Sequence, residues 1–152
     1  MADGDAFVGG EASLYYNSGN YASPTWVEVE NCGDLDSPDT RSTVAAPTRG
    51  KWPFVGYLLG NRDIGLSWSS LQKKGTADAA LTALVTAYDA GTAVEFAIAD
   101  GAIATAGTKY RRMQMKISKA DQSEPIDGVV TISFEAKPDA NSAVNPARAT
   151  VA

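Results

Sequence analysis

The sequence predicts a mostly β domain with one α-helix, in which about six strands form a sandwich or barrel flanked by the helix. Three observations predict this fold class. Several segments alternate apolar and polar residues, and one segment has a helical period. The 152 residues, 44% of them hydrophobic and 20% charged, are enough to bury one continuous core. We therefore expect a single domain over residues 1–152.

Six segments have the period of two that is typical of half-buried strands. In chain order they are residues 12–16, 26–30, 64–69, 94–98, 111–117 and 130–135. The last two follow each other along the chain, and we expect them to be neighbours in the sheet.

An amphipathic helix is predicted over residues 76–91, because four apolar residues share one helical face: Leu81, Leu84, Val85 and Tyr88. Thr76 is the expected N-cap, and Asp78 suits the positive end of the helix dipole. Gly91 suits the left-handed residue that commonly ends a helix.

The connection over residues 31–57 is too long for an ordinary turn and contains three prolines. Long loops of this kind are usually functional or disordered. Trp52 and Phe54, near its end, are large apolar residues without a periodic strand to bury them, so a partner surface could cover them. Two further segments are expected to be terminal arms: residues 1–11, and residues 137–152, which show neither helical nor strand periodicity.

The composition argues against catalysis and against tight nucleic-acid binding. The chain has no histidine, which removes every Ser-His and Cys-His mechanism and the commonest metal ligand. The only cysteine, Cys32, lacks the basic partner that would activate a thiolate. The acidic run over residues 34–39 lacks the glycine and glutamate of a calcium loop. A net charge of -5 opposes binding to phosphates. We expect no enzymatic activity, cofactor or metal.

No run of about 18 apolar residues occurs, and residues 1–10 lack the basic and apolar regions of a signal peptide. We expect neither a membrane anchor nor secretion through a signal peptide. Four basic residues near one strand could contact the carboxylates of a neighbouring copy or form a solvated face: Lys109, Arg111, Arg112 and Lys116.

The order of elements, together with four short signatures, resembles the major tail tube proteins of long-tailed bacteriophages, which are similar to the tube protein of type VI secretion. The signatures are Trp-Val-Glu-Val at 26–29, Gly-Asn-Arg-Asp-Ile-Gly-Leu-Ser-Trp at 60–68, Val-Glu-Phe-Ala-Ile at 94–98, and the segment 128–137. The resemblance extends over residues 12–137.

The resemblance implies a structural subunit that closes into hexameric rings, which stack into a tube that conducts DNA. It implies that residues 31–57 reach an adjacent ring and that the arms tie neighbours together. Trp52 and Phe54 are the expected anchors. The charged residues of the same connection complete the candidate interface: Asp36, Asp39, Arg41, Arg49 and Lys51. Tape-measure and tail-tip proteins are the expected further partners, DNA a transient cargo, and the virion tail, assembled in the host cytoplasm, the expected location.

Three other interpretations remain open at this point. The first is the tube of a secretion or contractile-injection system. The second is a monomeric β-sandwich binding module with an aromatic platform built from Trp26, Tyr15 or Tyr16. The third is a hydrolase that uses Glu28 and Glu30, which two rises of a strand place about 7 Å apart.

Overall fold

The computed structural model describes residues 12–30, 32–72, 78–142 and 144–151. These residues form one α-helix and ten strands. The strands are β1 Ser13–Asn17, β2 Trp26–Glu28, β3 Cys32–Asp36, β4 Asp39–Ala46, β5 Gly56–Ile64, β6 Leu66–Leu71, β7 Ala93–Ala99, β8 Lys109–Ser123, β9 Thr131–Pro138 and β10 Ala147–Thr150; the helix is α1 Ala79–Ala90. The predicted fold class, mostly β with a single helix, is confirmed.

Eight strands form one antiparallel sheet in the order β2-β1-β7-β8-β9-β6-β3, with β10 beside β8. Strand β8 is the centre of the sheet, because its 15 residues pair with three neighbours. Strand β7 runs along one edge of β8, while β9 and β10 share the other edge. The predicted adjacency of the last two periodic segments is confirmed by the pairing of Ile117 with Ala136.

The sheet curls over its core until its two halves face each other. Trp68 on β6 contacts Phe96 on β7 with ring centroids 5.1 Å apart, although two strands separate β6 from β7 in the sheet. Trp68 also stacks on Phe134 of β9 at 5.1 Å. Phe96, Phe134 and Leu14 are among the largest fully buried side chains. Burying each such side chain stabilises the fold by about 1.5–3 kcal/mol.

Helix α1 covers one side of this core. Its N-cap is Asp78, whose Oδ1 accepts hydrogen bonds from the amides of Ala80 and Leu81 at 3.1 and 3.3 Å. Thr76, the N-cap expected from sequence, lies outside the described residues. Gly91 ends the helix in the left-handed conformation with φ of 67°, as predicted. Leu84 is fully buried on the helical face that packs toward β8.

The expectation that residues 31–57 form one long loop is wrong for the described residues. This part of the chain contains β3, which pairs with β6, and β4, which pairs with β5 as a separate two-stranded ribbon. Most residues of β4 and β5 are exposed, whichever face of the ribbon they lie on. The two strands therefore do not alternate apolar and polar residues. A search for a period of two therefore misses them.

The C-terminal segment also holds more regular structure than the sequence predicts. Strand β9 continues to Pro138, and the four residues of β10 pair with β8. Strand β10 has no buried residue, and a short exposed strand leaves no hydrophobic pattern. Two other strand boundaries differ as well: β2 ends at Glu28, and Gly65 separates β5 from β6. Residues 1–11, the expected N-terminal arm, lie outside the described residues.

Candidate assembly surface

The β4–β5 ribbon is the main candidate surface. Its strands pair from Asp39 opposite Ile64 to Ala46 opposite Gly56, with an irregularity between Arg41 and Thr43. Eight residues of extended chain span about 25 Å. Every residue from 40 to 45 and from 57 to 63 is exposed. The ribbon therefore presents both of its faces to solvent in the isolated chain.

Large apolar side chains lie on both faces of the ribbon in the half nearer its connecting turn. Leu58 and Leu59 are adjacent residues of β5, so they point to opposite faces, yet 64% and 65% of their surfaces are accessible. Leu58 lies opposite Val44, and Leu59 lies opposite Thr43. The exposed apolar residues of the ribbon and its connecting turn are Val44, Trp52, Phe54, Val55, Tyr57, Leu58 and Leu59. Contiguous apolar surface of this kind marks interaction sites on soluble proteins.

The connecting turn carries the aromatic and basic residues that the sequence singled out. Arg49–Lys51 form one turn of 3-10 helix, in which the Trp52 amide donates to the Arg49 carbonyl at 3.2 Å. The Phe54 amide then donates to the Lys51 carbonyl at 2.7 Å. Trp52 is 84% exposed and Phe54 is 77% exposed. The tip therefore presents two exposed aromatic rings directly after two basic residues.

The root of the ribbon is held by an ion pair. The Arg62 Nε donates to Asp39 Oδ1 at 2.7 Å, and its Nη2 reaches Oδ2. The hydrogen bond from Arg62 lowers the pKa of Asp39 below its ordinary value. Arg41 lies directly opposite Arg62 in the ribbon. Asp39 thus neutralises the guanidinium of Arg62, whose direct cross-strand neighbour is another positive charge.

Six of the seven site residues predicted from the sequence lie on this ribbon or its turn: Asp39, Arg41, Arg49, Lys51, Trp52 and Phe54. Asp36 does not, because it ends the neighbouring strand β3. The prediction missed Val44, Tyr57, Leu58, Leu59 and Arg62. The uninterrupted apolar run at 57–59, next to Gly56 and Gly60, could have indicated an exposed ribbon with two apolar faces.

The second candidate surface is the pair of open sheet edges. Strands β2 and β3 end the sheet, and a cleft of about 780 Å³ lies between them. Four carboxylates line this cleft: Glu28, Glu30, Asp34 and Asp36. Within the described part of the chain, no group of three or more acidic, cysteine or histidine residues is arranged to hold a metal. Burial raises the pKa of the Cys32 thiol, which also lines the cleft, to about 11. Its thiolate is therefore scarce at neutral pH.

The aromatic residues of the binding-module interpretation do not form an exposed platform. Tyr15 and Tyr16 are buried in the sheet. Trp26 packs edge-on against Tyr110, and the Arg112 guanidinium lies over the Trp26 ring at 5.4 Å and over the Tyr21 ring at 3.8 Å. These rings are engaged within the domain.

Two of the four basic residues near β8 are neutralised inside the chain. Arg112 Nε donates to the buried carboxylate of Glu95, and Lys116 Nζ lies 3.6 Å from Asp139 Oδ1. Arg111 points to the other face of the strand and makes no salt bridge to a described carboxylate.

The chain has the fold of tail tube proteins. The SPP1 tail tube superposes with a TM-score of 0.73 at 16% identity, over 95% of this chain and 80% of that one. The tail of an empty gene transfer agent particle, refined with helical and C6 symmetry, gives a TM-score of 0.67 at 15% identity, over 97% of this chain and all of the other. The six-fold symmetrised baseplate of the anti-feeding prophage gives 0.59 at 9% identity, over 92% and 91%.

Sequence comparison finds no matching family model and no matching curated protein. At these identities the structural likeness defines the fold, and the function has to be argued from the surfaces. No helix of the described residues is long and apolar enough to span a membrane.

Proposed function

We propose that this chain is the structural subunit of a tail tube and that it works by assembling with copies of itself. The observation that carries this proposal is the β4–β5 ribbon, which exposes apolar side chains on both faces and two aromatic residues at its tip. A two-stranded ribbon is marginally stable alone in water. Contact with other copies would cover its apolar surface and hold it in place.

The ribbon and its tip would join one ring to the next. Buried aromatic residues dominate the energetics of most interfaces, so Trp52 and Phe54 are the proposed anchors. Arg49 and Lys51 precede them in the same turn and would lie at the polar rim. The other charged residues assigned to this interface are Asp36, Asp39 and Arg41. The terminal segments, residues 1–11 and 137–152, would add further ties between subunits.

The rings would contain six subunits. The tail of the gene transfer agent, which has the same fold, was refined with C6 symmetry. Open edges at β2 and β3 support closure, because an edge strand invites pairing unless it is covered. A contact between one edge of a subunit and a different surface of the next is heterologous, and such contacts generate a ring when the rotation between subunits closes.

The tube would conduct DNA from the virion during ejection. Six copies at -5 each would carry a formal charge of -30, which disfavours tight binding of phosphates to the assembly. We propose that the subunit is not an enzyme, that it assembles in the host cytoplasm, and that tape-measure and tail-tip proteins are its further partners in the tail.

A contractile-injection tube is the second candidate, and the likeness to the anti-feeding prophage baseplate favours it. The two candidates share the assembly and differ in what passes through it and in whether a sheath surrounds it. Co-purification of a sheath protein with native tubes would favour the injection system, whereas native tubes joined to a DNA-filled capsid would favour the phage tail.

Negative-stain electron microscopy of the purified chain over a range of concentrations tests the proposal. Rings or hollow tubes are expected, and a strict monomer at every concentration would overturn it. The Trp52→Ala, Phe54→Ala double variant should remain folded, because both rings are already exposed, and should fail to form long tubes. Ile126→Ala is the matched control, since Ile126 is fully exposed but lies outside the ribbon. Unchanged tube length in the double variant would remove these residues from the interface.

A further inference from the structure

Three arginines from three strands converge at the root of the ribbon. Arg62 of β5, Arg111 of β8 and Arg148 of β10 line one cavity of about 370 Å³, together with Pro146 and Ala147. A neighbouring cavity shares Arg111 and Arg148 and adds Lys109. We call the three arginines the arginine cluster.

The arginine cluster places like charges against each other. Arg148 and Arg111 are direct partners in the antiparallel pairing of β10 with β8. Like charges directly opposite each other in a sheet are destabilising. Burial lowers the pKa of Arg111, and the nearby charges oppose one another, since Asp39 raises this pKa while Arg148 and Arg62 lower it. In the isolated subunit, Arg111 and Arg148 therefore repel each other at the wall of the cavity.

The described part of the chain neutralises this charge only in part, through Asp39. Asp39 is engaged by Arg62 through both carboxylate oxygens. Arg111 donates to the Ser37 hydroxyl, which is a neutral acceptor. Neither Arg111 nor Arg148 forms a salt bridge with a described carboxylate. The cluster thus has one carboxylate for three guanidinium groups, and an incoming anion would relieve the repulsion.

We propose that the arginine cluster binds a carboxylate side chain of a second copy of this chain. The guanidinium group presents paired donors that match the two oxygens of a carboxylate. The chain itself has the complementary surplus, since it carries 18 acidic and 13 basic residues. Four carboxylates line the cleft between the open edges, which Arg111 also lines, and make no salt bridge within the described residues: Glu28, Glu30, Asp34 and Asp36. The cluster also adjoins the ribbon, so it is continuous with the proposed assembly surface, and the inference rests on that proposal.

Arg148→Glu tests the site because it should keep or raise the stability of the isolated subunit while it weakens assembly. In the isolated subunit, the new carboxylate would pair with Arg111 across the strands and keep or raise the melting temperature. In assembly, it would repel the incoming carboxylate, and the concentration needed for half-maximal tube formation should rise by about tenfold or more, equivalent to about 1.4 kcal/mol. Arg148→Gln, which removes the charge without reversing it, should shift assembly in the same direction by a smaller factor.

Lys119→Glu is the control, because it makes the same change in net charge away from the cluster, at a residue whose ion pairs with Asp121 and Glu135 are largely exposed. It should alter the assembly concentration much less than Arg148→Glu does. Equal effects of the two variants, or unchanged assembly of Arg148→Glu, would overturn the inference while leaving tube formation by the wild type intact. Failure of the wild-type chain to assemble would instead overturn the proposed function.

Two binding measurements test whether the arginine cluster binds another anion rather than a carboxylate of a second copy. Inorganic phosphate could raise the melting temperature of the wild-type subunit but not of Arg148→Glu. Double-stranded DNA could likewise bind the wild type and not the variant. Either result, found together with normal tube formation by Arg148→Glu, would assign the cluster to that anion and overturn the carboxylate proposal.

Discussion

Arg62 and Asp39 join the two strands of the ribbon where it leaves the domain. The Arg62 guanidinium donates to both oxygens of the Asp39 carboxylate, with Nε 2.7 Å from Oδ1. The two residues lie diagonally across the pairing of β4 with β5, because Asp39 is opposite Ile64 and Arg62 is opposite Arg41. This contact ties β4 to β5 at the end of the ribbon farthest from its aromatic tip.

Asp39→Asn should loosen the ribbon without unfolding the domain, because the pair lies at the surface. We expect faster amide hydrogen exchange over residues 40–62 and little change in the core strands. Asp63→Asn is the control, since Asp63 lies next to Arg62 and its own ion pair, with Lys137 at 3.8 Å, is longer and more exposed. Equal exchange rates in the two variants would show that the ion pair does not hold the ribbon.

The same pair predicts a pH dependence. The folded-state pKa of Asp39 is depressed by Arg62, so its stabilising contribution is present above the unfolded pKa of about 3.9. It is lost as the pH falls through the lower, folded-state pKa. The difference in ribbon exchange between the wild type and Asp39→Asn should therefore be full at pH 6 and disappear in strong acid. A difference that persists at pH 1 would contradict this assignment.

Leu58→Gln and Leu59→Gln should each weaken assembly, because these neighbouring side chains lie on opposite faces of the ribbon. Burying an apolar side chain of this size contributes about 1.5–3 kcal/mol. Each variant should therefore raise the assembly concentration by roughly tenfold or more, with the melting temperature of the subunit nearly unchanged. Sedimentation across a concentration series measures both variants. A neutral result for one of them would mean that only one face of the ribbon is covered.

Removal of residues 147–152 should destabilise the domain itself. The truncation deletes β10 and the two backbone hydrogen bonds that join Val151 to Gly107 and Thr108 at 2.9 and 2.8 Å. It thereby exposes the edge of β8. We expect a loss of about 1–3 kcal/mol in the free energy of unfolding, since each hydrogen bond contributes about 0.5–1.5 kcal/mol net.

Removal of Ala152 alone is the control for that truncation. Urea denaturation of the monomeric subunit provides the measurement. Unchanged stability after loss of residues 147–152, combined with weaker assembly, would show that the segment acts only as a tether between copies.

Arg112→Ala should be among the more damaging substitutions, because it leaves the buried Glu95 carboxylate without its partner. Breaking a buried pair in this way costs about 3–5 kcal/mol. The Glu95→Ala, Arg112→Ala double variant should lose less than the sum of the single losses, since no uncompensated charge remains. Lys116→Ala, on the same face of β8, should cost less than about 1 kcal/mol because its pair with Asp139 is partly exposed. Additive losses for Glu95 and Arg112 would contradict the coupling.

The core strands could be predicted because one of their faces is buried. Ile132 and Phe134 alternate with exposed or half-exposed neighbours along β9, and such a period of two is visible in the sequence. The helix was visible for the same reason, with Leu81 and Leu84 on its buried face. Trp52 and Phe54 were recognisable as interface candidates because no predicted element could bury them.

The sequence by itself determined the mostly β class, the single helix and the exposed aromatic tip, since these depend on local periodicity and composition. Only the tertiary structure decided that β4 and β5 pair as a ribbon with two apolar faces, and that β10 adds to β8. It also decided that Arg62, Arg111 and Arg148, far apart in the chain, share one cavity. Strand pairing and charge clustering depend on contacts between distant segments, and such contacts leave no periodic signal along the chain.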